Sequence, residues 1–574
     1  MRTHWSRTAT AVIAVLAMVV GLAAAATAQI SVTDERLLRA DQDPNNWLTF
    51  YRNYAGWRYS PLAQINSTNA SRLVPKWSLQ LGEIGEQQCT PLVNDGVLYV
   101  TTAGLLRERV YAVDAAKGTV LWRFERKLPE DIDALARILP EKQGVALYGT
   151  NVILGTLDAR LIALDAKTGK EVWNAQVIDY REGYHVKAAP LAVKGKIIVG
   201  MAGPGEMGNR GFVQAHDAKN GAQLWRTYTI PGPGEPGNDS WAGDSWKYGG
   251  AAPWLTGTYD AESNQLFFGT GNPAPWQAQV RKGANLWTDS TIALDLDTGK
   301  FRWGIQHLAA DPWDLDTPME NMVIDVERGG RKIKTVVQAN KTGFVYTMNR
   351  LEGKLISAVP FEPNMNIWKG QEPGTGKPIP NYDLVPAAGG QPIDLCPSLV
   401  GATGWAFKSY NPNTGMVYIN AQDMCMRYTY EPEVKYQKGL LYIGAGFELF
   451  TKNPLPGRLK AFDVNKNEVA WEWMTKGVLV GGGNMTTGGN LVFVNTAEGR
   501  LVALDARNGL ELWQFNVGTA LSGGVISYAV DGKQYVATVG GGVAEAAAWY
   551  KDPSLSHMLN VPMGNVVMAF GLMD

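Results

Sequence analysis

The sequence has little cysteine, little histidine and almost no net charge. Three cysteines (Cys89, Cys396 and Cys425) and five histidines occur among 574 residues, and the formal net charge is -1. So few cysteines cannot be the framework of so long a chain, and because no C-x-x-C-H motif is present, a covalently bound c-type haem is excluded. Basic residues are scattered rather than clustered, so no nucleic-acid interface is expected.

Long apolar runs are also scarce, and the exception lies at the N-terminus. Arg2 and Arg7 precede the apolar stretch 9–22, and the small residues 26–28 follow it as a typical cleavage site. This pattern predicts a signal peptide over residues 1–28, which is removed on export. An uncleaved membrane anchor is the alternative, although the run is short for a membrane span.

Glycine and tryptophan are abundant instead, with 64 and 20 copies, and one phrase that contains both recurs. In each clear copy an apolar strand ends at Asp, a short turn usually containing Gly follows, and a second strand ends on Trp eight residues after the Asp. This is the pattern of a β-hairpin. Six copies are clear (112–122, 163–173, 215–225, 293–303, 461–471 and 503–513) and two are degenerate (346–358 and 409–419).

A hairpin repeated at this spacing is typical of β-propellers. Counting the degenerate copies as separate units predicts an all-β fold, an eight-bladed propeller that occupies residues 29–574 as a single domain, with seven blades as the alternative. Because the Trp recurs in every clear unit, we expect it to dock one blade against the next rather than to take part in chemistry.

Four segments depart from the repeat, and a departure that packing does not explain indicates function. "GPGEMGNRG" (203–211) sets an acidic residue among glycines, "WKYGGAAPW" (246–254) ends on a Trp outside the register, "GTGNPAPW" (269–276) contains an Asn after a strand, and "DPWDLD" (311–316) contains three carboxylates. In an extended backbone, side chains two positions apart share a face, so Asp314 and Asp316 can converge while Asp311 points elsewhere.

The departing segments supply oxygen donors with no His or Cys nearby. Such a set suits a hard cation such as calcium and argues against zinc or copper. Taken singly, each residue also has an ordinary explanation as a salt bridge, an Asn-Pro turn or a solvated loop. The candidate metal ligands are Glu206, Asn272, Asp314 and Asp316.

Together the segments 46–66, 155–173, 205–221, 269–276, 311–316 and 338–350 resemble the pyrroloquinoline quinone (PQQ)-dependent alcohol dehydrogenases of the methanol and ethanol dehydrogenase type. The resemblance extends over nearly the whole chain after the signal peptide. It implies that Glu206 and Asn272 bind a metal ion and that Asp314 is the catalytic base. It also implies that Trp254 stacks on the quinone and that Lys341 contacts it.

The resemblance also bears on the metal and the cysteines. An acidic residue at the position of Asp316 marks the lanthanide-dependent members, since a trivalent ion gains more from a further carboxylate than a divalent one. We therefore expect a lanthanide rather than calcium, unless Asp316 points to solvent. The family's non-vicinal disulfide implies a Cys396–Cys425 bridge, with two free thiols as the alternative, and leaves Cys89 unpaired.

Several positions depart from the family pattern. Arg137 and Ile138 stand where two adjacent cysteines would form a disulfide over the quinone, and Gln143 replaces a basic residue. Lys187 replaces a threonine and is expected to restore positive charge toward a PQQ carboxylate, with an exposed lysine as the alternative. Gly205 is expected to let the backbone approach the cofactor. Gln88 and Val480 stand where a carboxylate and a tryptophan are usual, which predicts a wider, less aromatic pocket.

The resemblance thus implies a periplasmic enzyme that oxidises a primary alcohol to the aldehyde and passes electrons to a soluble cytochrome c. Two alternatives remain: a non-catalytic propeller scaffold, and a quinoprotein that acts on sugars or aldehydes. The oligomeric state is open, with a homodimer as one option.

Overall fold

A computed structural model describes residues 31–573 except 84–85, 105, 133–140, 480 and 543–552. The predicted signal peptide, Arg137, Ile138 and Val480 lie outside the described residues. The all-β prediction is confirmed, because strands dominate the described chain and helices are few and short. None of the helices in these ranges has the length and apolarity needed to cross a membrane.

Eight sheets of four or five strands, antiparallel except for one pair of strands, make up most of the described chain. The first four follow one another in sequence, and each is built from consecutive strands. Their strands are Leu92–Asn94, Val97–Gly104, Arg107–Asp114 and Val120–Lys127; Val145–Tyr148, Asn151–Gly155, Arg160–Asp165 and Glu171–Gln176; Leu191–Val193, Lys196–Gly200, Phe212–Asp217 and Gln223–Tyr228; Thr258–Asp260, Gln265–Gly269, Ser290–Asp295 and Phe301–Gln306.

The other four sheets include two that join distant parts of the chain. Tyr59–Ser60 adds a parallel fifth strand to the seventh sheet, and Leu73–Gln80 completes the eighth. The remaining strands are Met322–Arg328, Arg331–Ala339, Phe344–Asn349 and Leu355–Pro360; Ser409–Asn411, Met416–Gln422, Gly457–Asp463 and Glu468–Thr475; Asn484–Thr487, Leu491–Asn495, Arg500–Asp505 and Glu511–Asn516; Val525–Val530, Lys533–Gly540 and Val566–Leu572.

Two smaller sheets and a few helical turns lie between these units. The smaller sheets pair Trp368–Gln371 with Pro378–Pro380, and Ile393–Leu395 with Cys425–Tyr430 and Ala445–Phe450. The α-helices are Asp34–Leu38, Pro204–Met207 and Ser556–Leu559. The 3₁₀ turns are Ala40–Gln42, Ala70–Arg72, Tyr180–Glu182, Asn238–Ser240, Ser245–Tyr248, Ala278–Val280, Tyr382–Leu384 and Pro553–Leu555.

The prediction that 409–419 forms a unit of its own is wrong. Its two strands belong to the same sheet as the clear copy 461–471, because Met416–Gln422 pairs with Gly457–Asp463 across a long insertion. The eighth sheet is assembled instead from both ends of the chain, where Leu73–Gln80 pairs with Val566–Leu572. Because the strands of this unit come from both ends of the chain, they do not form a continuous copy of the repeat in the sequence.

The repeated Gly and Trp are in contact between neighbouring sheets. A Cβ on Gly169 would lie 2.6 Å from the ring of Trp122, and one on Gly221 would lie 2.7 Å from the ring of Trp173. The Trp122 indole N–H also donates to the carbonyl of Ala166, at 2.9 Å. The turn therefore requires glycine both for its left-handed backbone and for the tryptophan packed on it.

The cysteines are arranged as the resemblance implies. Cys396 and Cys425 form a disulfide with a Cα–Cα distance of 4.4 Å, which confirms the predicted pairing. Cys89 is a buried free thiol, and burial raises its pKa to about 11. A thiol in that state is a small hydrophobic group rather than a nucleophile.

Candidate active site

A cavity of about 260 Å³ brings most of the departing segments together. Its lining contains both charged and apolar side chains. The lining residues are Glu141, Lys187, Ala202, Gly203, Glu206, Trp254, Trp276, Asp314, Asp316, Lys341, Leu399, Trp405, Leu441, Ile443 and Phe447.

Glu206 enters the cavity from the short helix Pro204–Met207. A Cβ on Gly205 would lie 2.4 Å from Asn272 Oδ1, so only glycine allows this helix to approach the asparagine so closely. The Asn272 side chain is buried and its Nδ2 donates to the carbonyl of Gly205, at 3.3 Å, which leaves Oδ1 as its acceptor. The structure therefore places these three residues together, with Glu206 lining the cavity and the other two directly behind it.

"DPWDLD" is a buried turn, and the extended backbone expected for it is wrong. The Asp311 carboxylate accepts the backbone N–H of Trp313, at 2.9 Å, and that of Leu315, at 2.6 Å, and so holds the turn. Asp314 has a φ of 61°, in the left-handed region. The turn, rather than strand alternation, brings Asp314 and Asp316 to the same cavity wall.

Lys341 lies among these carboxylates. Its Nζ is 3.6 Å from Asp314 Oδ2, donates to the Asp314 carbonyl at 3.1 Å, and forms a closer ion pair with Asp316. All three side chains are buried. The neighbouring Asp314 and Asp316 carboxylates raise the pKa of Lys341 above its ordinary value despite its burial.

Burial makes the acidic side chains of the cavity difficult to ionise. Burial, reinforced by the charge of Asp316, raises the pKa of Glu206 to about 7. Burial also raises the pKa of Asp314 well above its ordinary value, against the opposing effect of Lys341. Buried carboxylates with raised pKa values in a cavity are typical of catalytic and ligand-binding sites.

Trp254 is fixed in the cavity wall by its polar edge. Its indole N–H donates to Asp316 Oδ2, at 2.7 Å, and its ring meets that of Trp405 edge to face at a centroid distance of 6.3 Å. An aromatic plane beside a carboxylate cluster can stack on a flat ligand whose polar edge reaches the carboxylates.

A second ion pair lines the same cavity. Lys187 Nζ is 3.3 Å from Glu141 Oε2, and both side chains are buried, so the alternative of an exposed lysine at 187 is wrong. Gln143 is linked to Lys187 through the backbone, at 3.1 Å, but its side chain donates to Gln88, at 3.5 Å, and does not line the cavity. Glu141 could not be predicted from the sequence, because it lies in a segment where the family pattern is not kept.

The residues present fit both a flat anionic cofactor and a hard cation. Two buried ammonium groups and a tryptophan face suit an aromatic carboxylate, and carboxylates with an amide oxygen suit an oxygen-loving metal ion. Within the described ranges, no three His, Cys, Asp or Glu side chains are already grouped as a metal site. The Lys341 ammonium group contacts two of the candidate ligands, Asp314 and Asp316.

Comparison with known families identifies the propeller. The PQQ family described as the "glucose/ethanol/alcohol dehydrogenase, beta-propeller domain" matches residues 47–374 and 449–536. These ranges include every candidate cofactor and metal residue named above.

Individual proteins are similar along most of the chain. The quinoprotein alcohol dehydrogenase PedH of Pseudomonas putida is 38% identical over 552 residues, which cover 92% of this chain and 91% of that protein. The quinohemoprotein alcohol dehydrogenase ADH IIB of Pseudomonas putida is 38% identical and covers 88% of this chain and 75% of its own. The structure of a europium-containing methanol dehydrogenase superposes with a TM-score of 0.87 at 31% identity and covers 94% of this chain and 100% of its own.

Proposed function

The chain belongs to the family of PQQ-dependent quinoprotein alcohol dehydrogenases, and on that basis we propose that it oxidises a primary alcohol to the aldehyde with PQQ and one metal ion. The observation that carries the proposal is the single buried cavity shared by Glu206, Asp314, Asp316, Lys341 and Trp254. A propeller that only binds other proteins would not need buried carboxylates with raised pKa values beside an aromatic plane.

The residues that would hold the quinone are those with a flat face or a positive charge. Trp254 would stack on the ring system, and Lys341 and Lys187 would pair with its carboxylates. Gly205 and Gln143 would support these residues without lining the cavity, Gly205 through its contact with Asn272 and Gln143 through its backbone hydrogen bond to Lys187. When bound, the quinone supplies the hydride acceptor and the metal ion polarises it.

The residues that would hold the metal ion are Glu206, Asn272, Asp314 and Asp316. We propose a lanthanide rather than calcium, because Asp316 adds a carboxylate that a trivalent ion uses best. The similarity to a protein named as europium-containing supports this preference. Lys341 must give up part of its contact with the carboxylates when a cation enters, and it is then free to face the quinone.

Asp314 is the proposed catalytic base. It would accept the hydroxyl proton of the alcohol while the hydride leaves the carbinol carbon. The pKa of Asp314, raised by burial in the metal-free protein, falls when a cation is adjacent, because the cation favours the ionised form.

The apolar residues that line the cavity indicate the class of substrate. Leu399, Leu441, Ile443 and Phe447 line the cavity, and Leu441 is 47% exposed. Such a wall binds the apolar body of an alcohol and offers few partners for the hydroxyl groups of a sugar. An alcohol is therefore proposed over a sugar.

The remaining features are proposed from the sequence and the sheets together. We infer eight blades, one for each of the eight sheets of four or five strands, docked through the repeated Trp and Gly contacts. The N-terminal segment supports export to the periplasm. Since the sequence has no c-type haem motif, a soluble cytochrome c is the proposed electron acceptor. A homodimer is the proposed oligomeric state.

The test is dye-linked alcohol oxidation by metal-free protein reconstituted with PQQ, assayed in parallel with calcium and with lanthanum. If the protein is active with lanthanum and Asp316→Ala abolishes this activity, the result supports both the enzyme class and the lanthanide preference. Asp314→Asn should be inactive with either metal. Activity with calcium that survives Asp316→Ala would retain the enzyme class and refute the lanthanide preference. Inactivity with both metals across alcohols, sugars and aldehydes would refute the proposed function.

A further inference from the structure

A buried carboxylate outside the predicted site lies directly behind it. Asp289 is completely buried, and its backbone N–H donates to the carbonyl of Gly271, at 3.0 Å. Gly271 precedes Asn272 in the chain, and a Cβ on Gly271 would lie 3.4 Å from Asp316 Oδ2. The Gly271 backbone therefore lies between the carboxylate of Asp316 and the residue Asp289.

The Asp289 side chain has no ion-pair partner among the described contacts, and Thr288 and the charge of Arg281 offset its burial only in part. Neither of its carboxylate oxygens has a hydrogen-bond partner among the described residues. The adjacent Thr288 hydroxyl donates to the carbonyl of Asn285, at 2.9 Å. The buried guanidinium of Arg281 donates to the carbonyl of Pro275 at 2.6 Å and to Asn285 Oδ1 at 2.8 Å, and it forms no ion pair with Asp289 among the described contacts.

The surroundings of Asp289 are unfavourable for an acid. Burial, followed by the charges of Asp311 and Asp316, raises its pKa well above the ordinary value. A buried carboxylate without an ion pair destabilises a fold, so a neutral residue of similar shape would suit the packing better. A group that packing disfavours, next to a proposed ligand-binding site, indicates a functional role.

We propose that Asp289 is a positioning residue of the metal site, whose negative charge favours an ion of higher charge. This inference depends on the proposed function, since it assumes that a metal ion binds at Glu206, Asn272, Asp314 and Asp316. The attraction between a fixed charge and an ion grows in proportion to the charge of the ion, so a trivalent ion gains half as much again as a divalent one. A cation in that site in turn favours the ionised form of Asp289.

The substitution Asp289→Asn removes the charge and keeps the shape, and Asp289→Ser removes both the charge and the bulk. Asp295→Asn is the matched control, because Asp295 is also a largely buried aspartate but pairs with Arg302 at the turn of its own hairpin, away from the cavity. Chelator-treated full-length protein is titrated with terbium, with tryptophan-sensitised luminescence as the readout, and calcium is measured by competition. The melting temperature of each variant is recorded alongside.

We expect both Asp289 variants to lower the ratio of terbium to calcium affinity by about tenfold, as removal of one nearby charge from a partly screened interior predicts. The control should leave that ratio within twofold of wild type. The melting temperature of Asp289→Asn should be unchanged or higher, because a disfavoured buried acid has been removed.

An unchanged affinity ratio in folded Asp289→Asn and Asp289→Ser would overturn the inference while leaving the proposed metal site intact. A lower melting temperature in both variants with the ratio unchanged would show that Asp289 is structural and would also overturn it. If wild-type protein binds neither ion, the proposed metal site itself is wrong, and the inference falls with it.

Discussion

Breaking the ion pair between Glu108 and Lys142 should destabilise the protein by about 3–5 kcal/mol. The two side chains are completely buried, and Lys142 Nζ is 3.2 Å from Glu108 Oε1. Glu108 also accepts the backbone N–H of Leu157, at 3.0 Å, and Lys142 donates to the carbonyl of Val186. The pair therefore joins the first sheet to the segment that leads into the second and third.

The magnitude follows from burial. Desolvation raises the pKa of Glu108 and lowers that of Lys142, so each charge is tolerated only because the other is present. Lys142→Met leaves an uncompensated buried carboxylate, whereas the double substitution Glu108→Gln with Lys142→Met removes both charges and should recover most of the loss. For a chain of this length, 4 kcal/mol corresponds to a fall in melting temperature of about 4 °C.

The assay is urea unfolding followed by tryptophan fluorescence, with the two single variants and the double variant compared as a cycle. Lys142 adjoins Glu141, which pairs with Lys187 in the cavity, so Lys142→Met should also weaken binding of PQQ measured by fluorescence quenching. A double variant as unstable as Lys142→Met, or a single variant as stable as wild type, would refute the reasoning.

Three further outcomes follow from the structure. Phe447→Ala should raise the KM for an alcohol with a phenyl or long alkyl group by about tenfold, because this substitution removes part of the apolar lining. The kcat and the KM for ethanol should remain nearly unchanged, and an equal change in KM for every alcohol would contradict this prediction. Gly205→Ala should abolish terbium binding to folded protein, because its Cβ would lie 2.4 Å from Asn272 Oδ1, and wild-type affinity in that variant would contradict the close contact. Burial lowers the pKa of His185 to about 4, so the unfolded chain binds a proton at this histidine at a higher pH than the folded protein does. About 3 kcal/mol of stability should therefore be lost as the pH falls from 6.5 to 4. Urea unfolding at several pH values should show a shallower loss of stability with falling pH for His185→Gln than for wild type, and an identical loss would contradict the assignment.

The fold could be predicted where each unit of the repeat is continuous in the chain. The Asp-turn-Gly-Trp phrase marks the outer hairpin of a sheet, and the structure explains its regularity, since the Gly of one unit packs on the Trp of the unit before. The prediction failed at 409–419 because an insertion separates the two halves of that sheet. Pairing between the two chain termini depends on tertiary contacts that no local pattern records.

The candidate site could be predicted in its residues but not in its backbone. The sequence suggested that Asp314 and Asp316 converge, yet the cause is a turn held by Asp311 and not strand alternation. Glu141 and Asp289 were missed for a shared reason. Each lies in a segment without a recognisable motif, and only burial beside the cavity or behind it distinguishes such a residue from a surface carboxylate.

The charges of the cavity explain why a cation belongs there. Four carboxylates face two ammonium groups across its wall, so the lining alone carries an excess of negative charge when all are ionised. Two features offset part of that excess: Lys341 contacts both Asp314 and Asp316, and burial raises the pKa of Glu206 to about 7. A di- or trivalent ion would balance the same charges without protonation, and it would release Lys341 toward an anionic cofactor. Metal and cofactor binding would then be coupled, because Lys341 contacts two of the proposed metal ligands and is also a proposed contact of the quinone.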